Sequence, residues 1–174
     1  MDIELVIVDN GSTDGTINKL FELKSFINYD VEIISLNKNL GTTITRNMAI
    51  KKCNGDMLAF IDSDVEFDKE GFLEMVDYLN DNKDIGILAP MIKFPDGSIQ
   101  QSCKKFPTID VKFLKLIDIF TFFNSGNRDY YVDFPFDGPC IVDTAISAFW
   151  LMNRKNIDLV GYFDENIFYS PEDI

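Results

Sequence analysis

The chain contains no histidine, three cysteines and one tryptophan, and it sets 16 basic residues against 29 acidic ones in 174. The missing histidine excludes Ser-His-Asp and Cys-His nucleophile systems and every histidine metal site. Chemistry here has to run on carboxylates, hydroxyls, Lys, Arg, Tyr or Cys. Cys53, Cys103 and Cys140 are odd in number, widely spaced and in no CxxC pattern. They read as free or buried thiols of a reducing compartment, which predicts a cytoplasmic protein. The scarcity of Lys and Arg, with a formal charge of −13, excludes a nucleic-acid surface, which needs clustered cations. An anionic nucleotide stays open as a ligand if a metal ion intervenes. No apolar run approaches the length of a membrane span, and no signal-peptide pattern opens the chain.

What is present is an ordinary globular composition, 46% apolar and 26% charged, in a length that predicts a single domain with a real core. "ELVIVD" is nearly all apolar and ends at Asp9, as suits a strand covered on both faces. Ile17, Leu20, Phe21 and Lys24 follow at helical spacing behind Asp14, a capping residue. "VEIISL" (31–36) is a second strand. Residues 42–52 predict a helix burying Ile44, Met48 and Ala49. "GDMLAFIDSD" (55–64) is a third strand, Phe72, Leu73, Val76 and Leu79 mark a helix, and "IGILAP" (85–90) is a fourth strand halted by Pro90.

Such alternation predicts an α/β fold, a mostly parallel sheet flanked by helices. The rhythm breaks after residue 95, dividing the domain into a nucleotide-binding half (1–95) and an acceptor-side half (96–174). "FPDGSIQQS" reads as a hairpin turn and "TAISAFWLMNR" (144–154) as another strand. Residues 111–123, "VKFLKLIDIFTFF", read as a buried or lid helix in preference to one resting on a membrane surface.

Two strands end in acids, at Asp9 and at Asp62-Ser63-Asp64. In a parallel sheet both ends share one edge, where open α/β proteins bind ligands, so these carboxylates are expected to converge. Clustered carboxylates without histidine suit a hard cation, Mg²⁺ or Mn²⁺, whose shell substrate phosphates complete. Arg46, in "GTTITRN", offers a fork for oxyanions. Glu172-Asp173 stand behind the aromatic-rich "FDENIFYSP", a setting in which a carboxylate can serve as general base.

In this order, "VDNGSTDGT", "NLGTTITRNMAI", "DMLAFIDSDV" and "GYFDENIFYSPED" closely resemble the inverting glycosyltransferases of family 2, which share the GT-A fold. "DGSIQQSCKKFPT" and "ISAFWLMNR" extend the likeness along the chain. The resemblance implies transfer of a sugar from a nucleotide-diphosphate sugar, UDP- or dTDP-linked, to a saccharide or lipid-linked acceptor in polysaccharide or glycolipid synthesis. It implies base contact by Asp9, with Asn10 and Ser12 beside it, and nucleotide contact by Arg46. Asp62, with Ser63 next to it, would face ribose and metal, and Asp64 the metal, as in a DxD motif. Asp173 of the Glu172-Asp173 pair would deprotonate the acceptor hydroxyl.

Against the family pattern, the chain opens on what is usually the second strand and ends one residue after Asp173. It is therefore expected to be a partial GT-A domain, with an unfilled place beside the strand at residues 3–8. That vacancy predicts incomplete folding or self-association. Three rivals were weighed. A receiver domain lacks the Asp62-Asp64 pair and the long tail, and a nucleotidyltransferase needs a Gly-rich basic loop that is missing. A non-catalytic, nucleotide-sugar-binding fragment fits the same residues and is told apart by a donor-hydrolysis assay with Mn²⁺.

Overall fold

The structure is a computed structural model and describes residues 2–106, 108, 131 and 137–169. Strand β1 (Glu4–Asp9) pairs in parallel with β2 (Asp30–Ser35), Asp9 standing opposite Ser35. Helix α1 (Thr16–Lys24) lies between them in sequence and packs on β2, while α2 (Thr42–Lys52) packs on β1. Then come β3 (Met57–Ile61), α3 (Lys69–Asp81), β4 (Cys103–Lys104), β5 (Thr144–Ala145), β6 (Phe149–Asn153) and α4 (Arg154–Val160). The side chain of Asp68 caps α3 by accepting the Gly71 amide at 2.7 Å.

Among the described residues the strands form three two-stranded sheets, β1–β2, β3–β6 and β4–β5. Only β1–β2 has the parallel pairing expected of the whole. β4–β5 is antiparallel. The amide of Arg154 meets the carbonyl of Asp56 and that of Asp62 the carbonyl of Ala148, so β6 also runs against β3. The fourth strand expected at 85–90 shrinks to one antiparallel bridge, in which Leu88 and Leu151 exchange both backbone bonds at 2.8 Å. Pro90, two residues on, has no amide to carry the ladder further. The turn in "FPDGSIQQS" is formed: Lys93 bridges Ile99, and Gly97 takes φ +84°.

By its internal contacts the chain falls into two compact units, whose borders cut across the sequence division at residue 95. The first comprises Met1–Phe60, Phe67–Leu88 and Trp150–Glu172. Its core is Val31, Ile50, Leu58, Leu79, Trp150, Leu151, Met152 and Ile157, so β6, not β1, is its most deeply buried strand. β1 is half-buried up to the buried Asp9. β2 is its one strand partner among the described residues, which explains why an apolar run expected to be covered on both faces is not. The second unit comprises Ile61–Glu66, Ala89–Phe149 and Asp173–Ile174. It holds the 93–99 hairpin and the β4–β5 pair, where Asp143 accepts the Phe106 amide at 2.9 Å.

The helix over 42–52 has its expected bounds but not its expected buried face. Thr43, Asn47 and Ile50 are buried, whereas Ile44, Met48 and Ala49 are half-exposed. Two polar residues can fill a helix's inner stripe only if their hydrogen bonds are met there. All three cysteines are free thiols, Cys140 exposed. The segment 111–123 lies outside the described residues. Among those described, no helix is long and apolar enough to cross a membrane.

Candidate functional site: the strand-end turn and the start of α2

β1 ends at Asp9, 6% exposed. Its carboxylate accepts the Ser12 amide at 3.3 Å and the Ser35 hydroxyl at 3.5 Å, both on Oδ2. These are long bonds, and Oδ1 keeps its capacity to accept. A buried carboxylate so sparsely bonded to its own chain is suited to receive a donor from a ligand. The turn that follows needs Gly11 at φ +86°, where a Cβ would come within 2.8 Å of the Lys38 Cα. Two turns, 10–12 and 38–41, therefore lie against each other.

Asn10 joins them. Its Oδ1 accepts the Leu40 amide at 2.8 Å, and its Nδ2 donates to Asn39 Oδ1 at 2.8 Å and to the Gly41 carbonyl at 3.4 Å. The side chain expected beside the nucleotide thus fixes the strand-end turn to the residue that starts α2. Ser12 gives its amide to Asp9 and is exposed. Asp14 accepts the Thr16 amide and hydroxyl at the start of α1, and those bonds hold its carboxyl below the usual carboxylate range.

Arg46, one turn into α2, lies 5.9 Å from the ring centres of both Trp150 and Phe163. The two rings are nearly parallel, 6.4 Å apart. A guanidinium against aromatic faces is oriented by them at little cost to its charge. Trp150 is buried, and its indole N–H has no hydrogen-bond partner.

Sequence reasoning missed two residues of this unit. Asn47 is buried and bonded to the 163–165 backbone and to Glu165. Arg154 closes the far end of α2, donating to the carbonyls of Gly55 at 2.7 Å and Cys53 at 2.6 Å and to the Cys53 sulfur at 3.1 Å. A cation at a helix C-terminus meets both its open carbonyls and its dipole. The signal for Arg154 was only a lone basic residue directly after an apolar strand.

Asp62, Ser63 and Asp64 belong to the second unit and are exposed. The Asp62 carbonyl accepts the Val65 amide at 3.1 Å, so the acids stand on a tight turn off the end of β3. Among the described residues no three His, Cys, Asp or Glu side chains gather closely enough to hold a metal ion by themselves. Convergence of Asp9, Asp62 and Asp64 into one protein-only cation site is therefore not found. Glu172 and Asp173 lie outside the described residues.

Comparison with known proteins bears on these features as a set. Over 120 residues, 69% of this chain, it is 27% identical to the poly(ribitol-phosphate) beta-N-acetylglucosaminyltransferase TarS of Staphylococcus aureus, of which it covers 21%. Over 76 residues, 44% of the chain, it is 32% identical to the putative teichuronic acid biosynthesis glycosyltransferase TuaG of Bacillus subtilis, covering 30% of that protein. The chain thus spans about a fifth to a third of the curated relatives' length. The crystal structure of S. aureus TarS 1-349 in complex with UDP matches 98% of this chain with a TM-score of 0.61 at 21% identity, over 43% of its own chain. That likeness establishes the GT-A type fold. The model for glycosyl transferase family 2 matches residues 1–159, and the chain belongs to that family.

Proposed function

We propose that this chain provides the donor-binding and catalytic part of an inverting glycosyltransferase that moves a sugar from a UDP- or dTDP-sugar to a hydroxyl of a saccharide or lipid-linked acceptor. One observation carries the donor half of this reading: buried Asp9 ends β1 with Oδ1 free to accept. A carboxylate only accepts, and uracil and thymine present an imide N–H where cytosine presents a ring acceptor. Asp9 therefore selects the bases of UDP and dTDP. Asn10 holds the turn, with Ser12 beside it, and Arg46 supplies charge to the nucleotide from the helix that this turn is bonded to.

Asp62 and Asp64 are exposed carboxylates on one turn, with Ser63 between them and neither thiol nor imidazole nearby in sequence. That donor set fits Mg²⁺ or Mn²⁺. Those two carboxylates would hold the ion, which when bound neutralises charge on the departing diphosphate. Asp173, with Glu172 beside it, accepts the proton of the attacking hydroxyl. The acceptor oxygen bonds to the anomeric carbon as the bond to the diphosphate oxygen breaks. Attack from the face opposite the leaving group inverts that carbon.

The TarS name makes UDP-N-acetylglucosamine the first donor to try, and the TuaG name points to cell-wall-type polysaccharides as acceptors. A site at the cytoplasmic face of a membrane suits lipid-linked acceptors. β1, paired on one edge only among the described strands, is the ground for self-association.

The test is release of UDP from UDP-N-acetylglucosamine in Mn²⁺ by the wild-type chain and by Asp173→Asn. Transferase chemistry requires turnover in the first and its loss, by on the order of a hundredfold or more, in the second. UDP binding without turnover in either would favour a non-catalytic binding module.

A further inference from the structure

The inner face of α2 is bonded, residue after residue, to the segment 163–168. Asn47, 1% exposed, uses its whole carboxamide there. Nδ2 donates to the Phe163 carbonyl at 2.9 Å and to Glu165 Oε1 at 3.0 Å, and Oδ1 accepts the Phe163 amide at 3.0 Å. One turn earlier Thr43, fully buried, donates its hydroxyl to the Ile167 carbonyl at 2.5 Å. At the helix start the Thr42 amide donates to the Phe168 carbonyl at 2.9 Å. Gly41 lies so close that a Cβ would run into that same carbonyl oxygen. Outside, Lys51 pairs with Glu165 at 3.6 Å.

The segment is neither helix nor strand, and apolar contact alone would hold it in several registers. Directional bonds to buried polar groups admit one, because a slip leaves buried donors and acceptors unpaired. Phe163 also faces Arg46 on this helix. The helix bearing the nucleotide-binding arginine is thereby the mount for the chain that runs on, a few residues later, into Glu172-Asp173.

From this geometry we infer that Asn47 and Thr43 are positioning residues, holding 163–168 on α2 so that the general base is delivered in fixed register to the donor. The inference deepens the transferase reading and rests on it. Neither side chain contacts donor or acceptor in this scheme, so loss of either lowers turnover without weakening donor binding.

The test compares Thr43→Val, which keeps shape and removes the hydroxyl, with Thr43→Ser, which keeps it. Asn47→Leu is the more severe variant. Two measurements on the full chain are needed: backbone hydrogen exchange over 163–168, and kcat and KM for UDP release from UDP-N-acetylglucosamine with Mn²⁺. Thr43→Val should exchange about tenfold faster there and lose on the order of tenfold or more in kcat, with KM changed by less than about twofold. Thr43→Ser should restore both. Unchanged exchange in Thr43→Val would overturn the latch. Faster exchange with kcat intact would make it structural only, and a KM rising with the loss would place Thr43 in donor binding instead. A wild-type chain that releases no UDP would overturn the transferase reading, and this inference with it, before any variant is compared.

Discussion

At the scale of single residues, Asp9 and Arg154 show two uses of a charge. Asp9 is held by long bonds to one oxygen and keeps the other, whereas Arg154 spends its guanidinium on α2's last carbonyls and a thiol. Arg154→Ala should therefore cost about 2–4 kcal/mol of stability, read as a lower midpoint in chemical unfolding. Arg46→Ala should instead leave the midpoint nearly unchanged and weaken UDP binding by on the order of tenfold, measured by calorimetry. Asp9 was legible in the sequence because an acid at the end of an apolar strand stands out. Asn47 was not: it interrupts an apolar pattern, and Phe163, which it bonds, is 116 residues away. A buried polar side chain whose partner is that distant leaves no local trace.

At the scale of elements, α1, α2, α3 and the first three strands follow from periodicity, because each one's turn chemistry and apolar spacing agree. What periodicity could not give is pairing. β3 and β6 are neighbours, but the chain between them is 87 residues long, counted from residue 62 to 148, and nothing in either strand names its partner. The junction of β1 with the α2–β3 turn has a pH signature. Glu4 accepts the amides of Asn54 and Gly55. Burial raises its pKa, but these bonds outweigh it and hold the carboxyl below its ordinary value. A depressed folded pKa gives stability that is present above the unfolded value and lost as pH falls through the folded one. Thermal melts should therefore drop as pH falls below about 4.3, and Glu4→Gln should flatten that slope while lowering the melt at neutral pH.

At the scale of the molecule, the net charge of −13 opposes an anionic ligand, so nucleotide binding must be won locally by base recognition, Arg46 and a divalent cation. The family was legible from the order of four motifs, and the fold with it. The division into two compact units was not, since it depends on which segments return to pack on which. The most direct measurement is calorimetric titration of the chain with UDP and with CDP in Mn²⁺, repeated on Asp9→Asn. Saturable binding of UDP, weaker for CDP by on the order of tenfold, is expected, with that preference lost in the variant because a carboxamide can also donate. Equal binding of UDP and CDP by the wild type, or no binding of either, would contradict Asp9 as the base-reading residue of a nucleotide-sugar site.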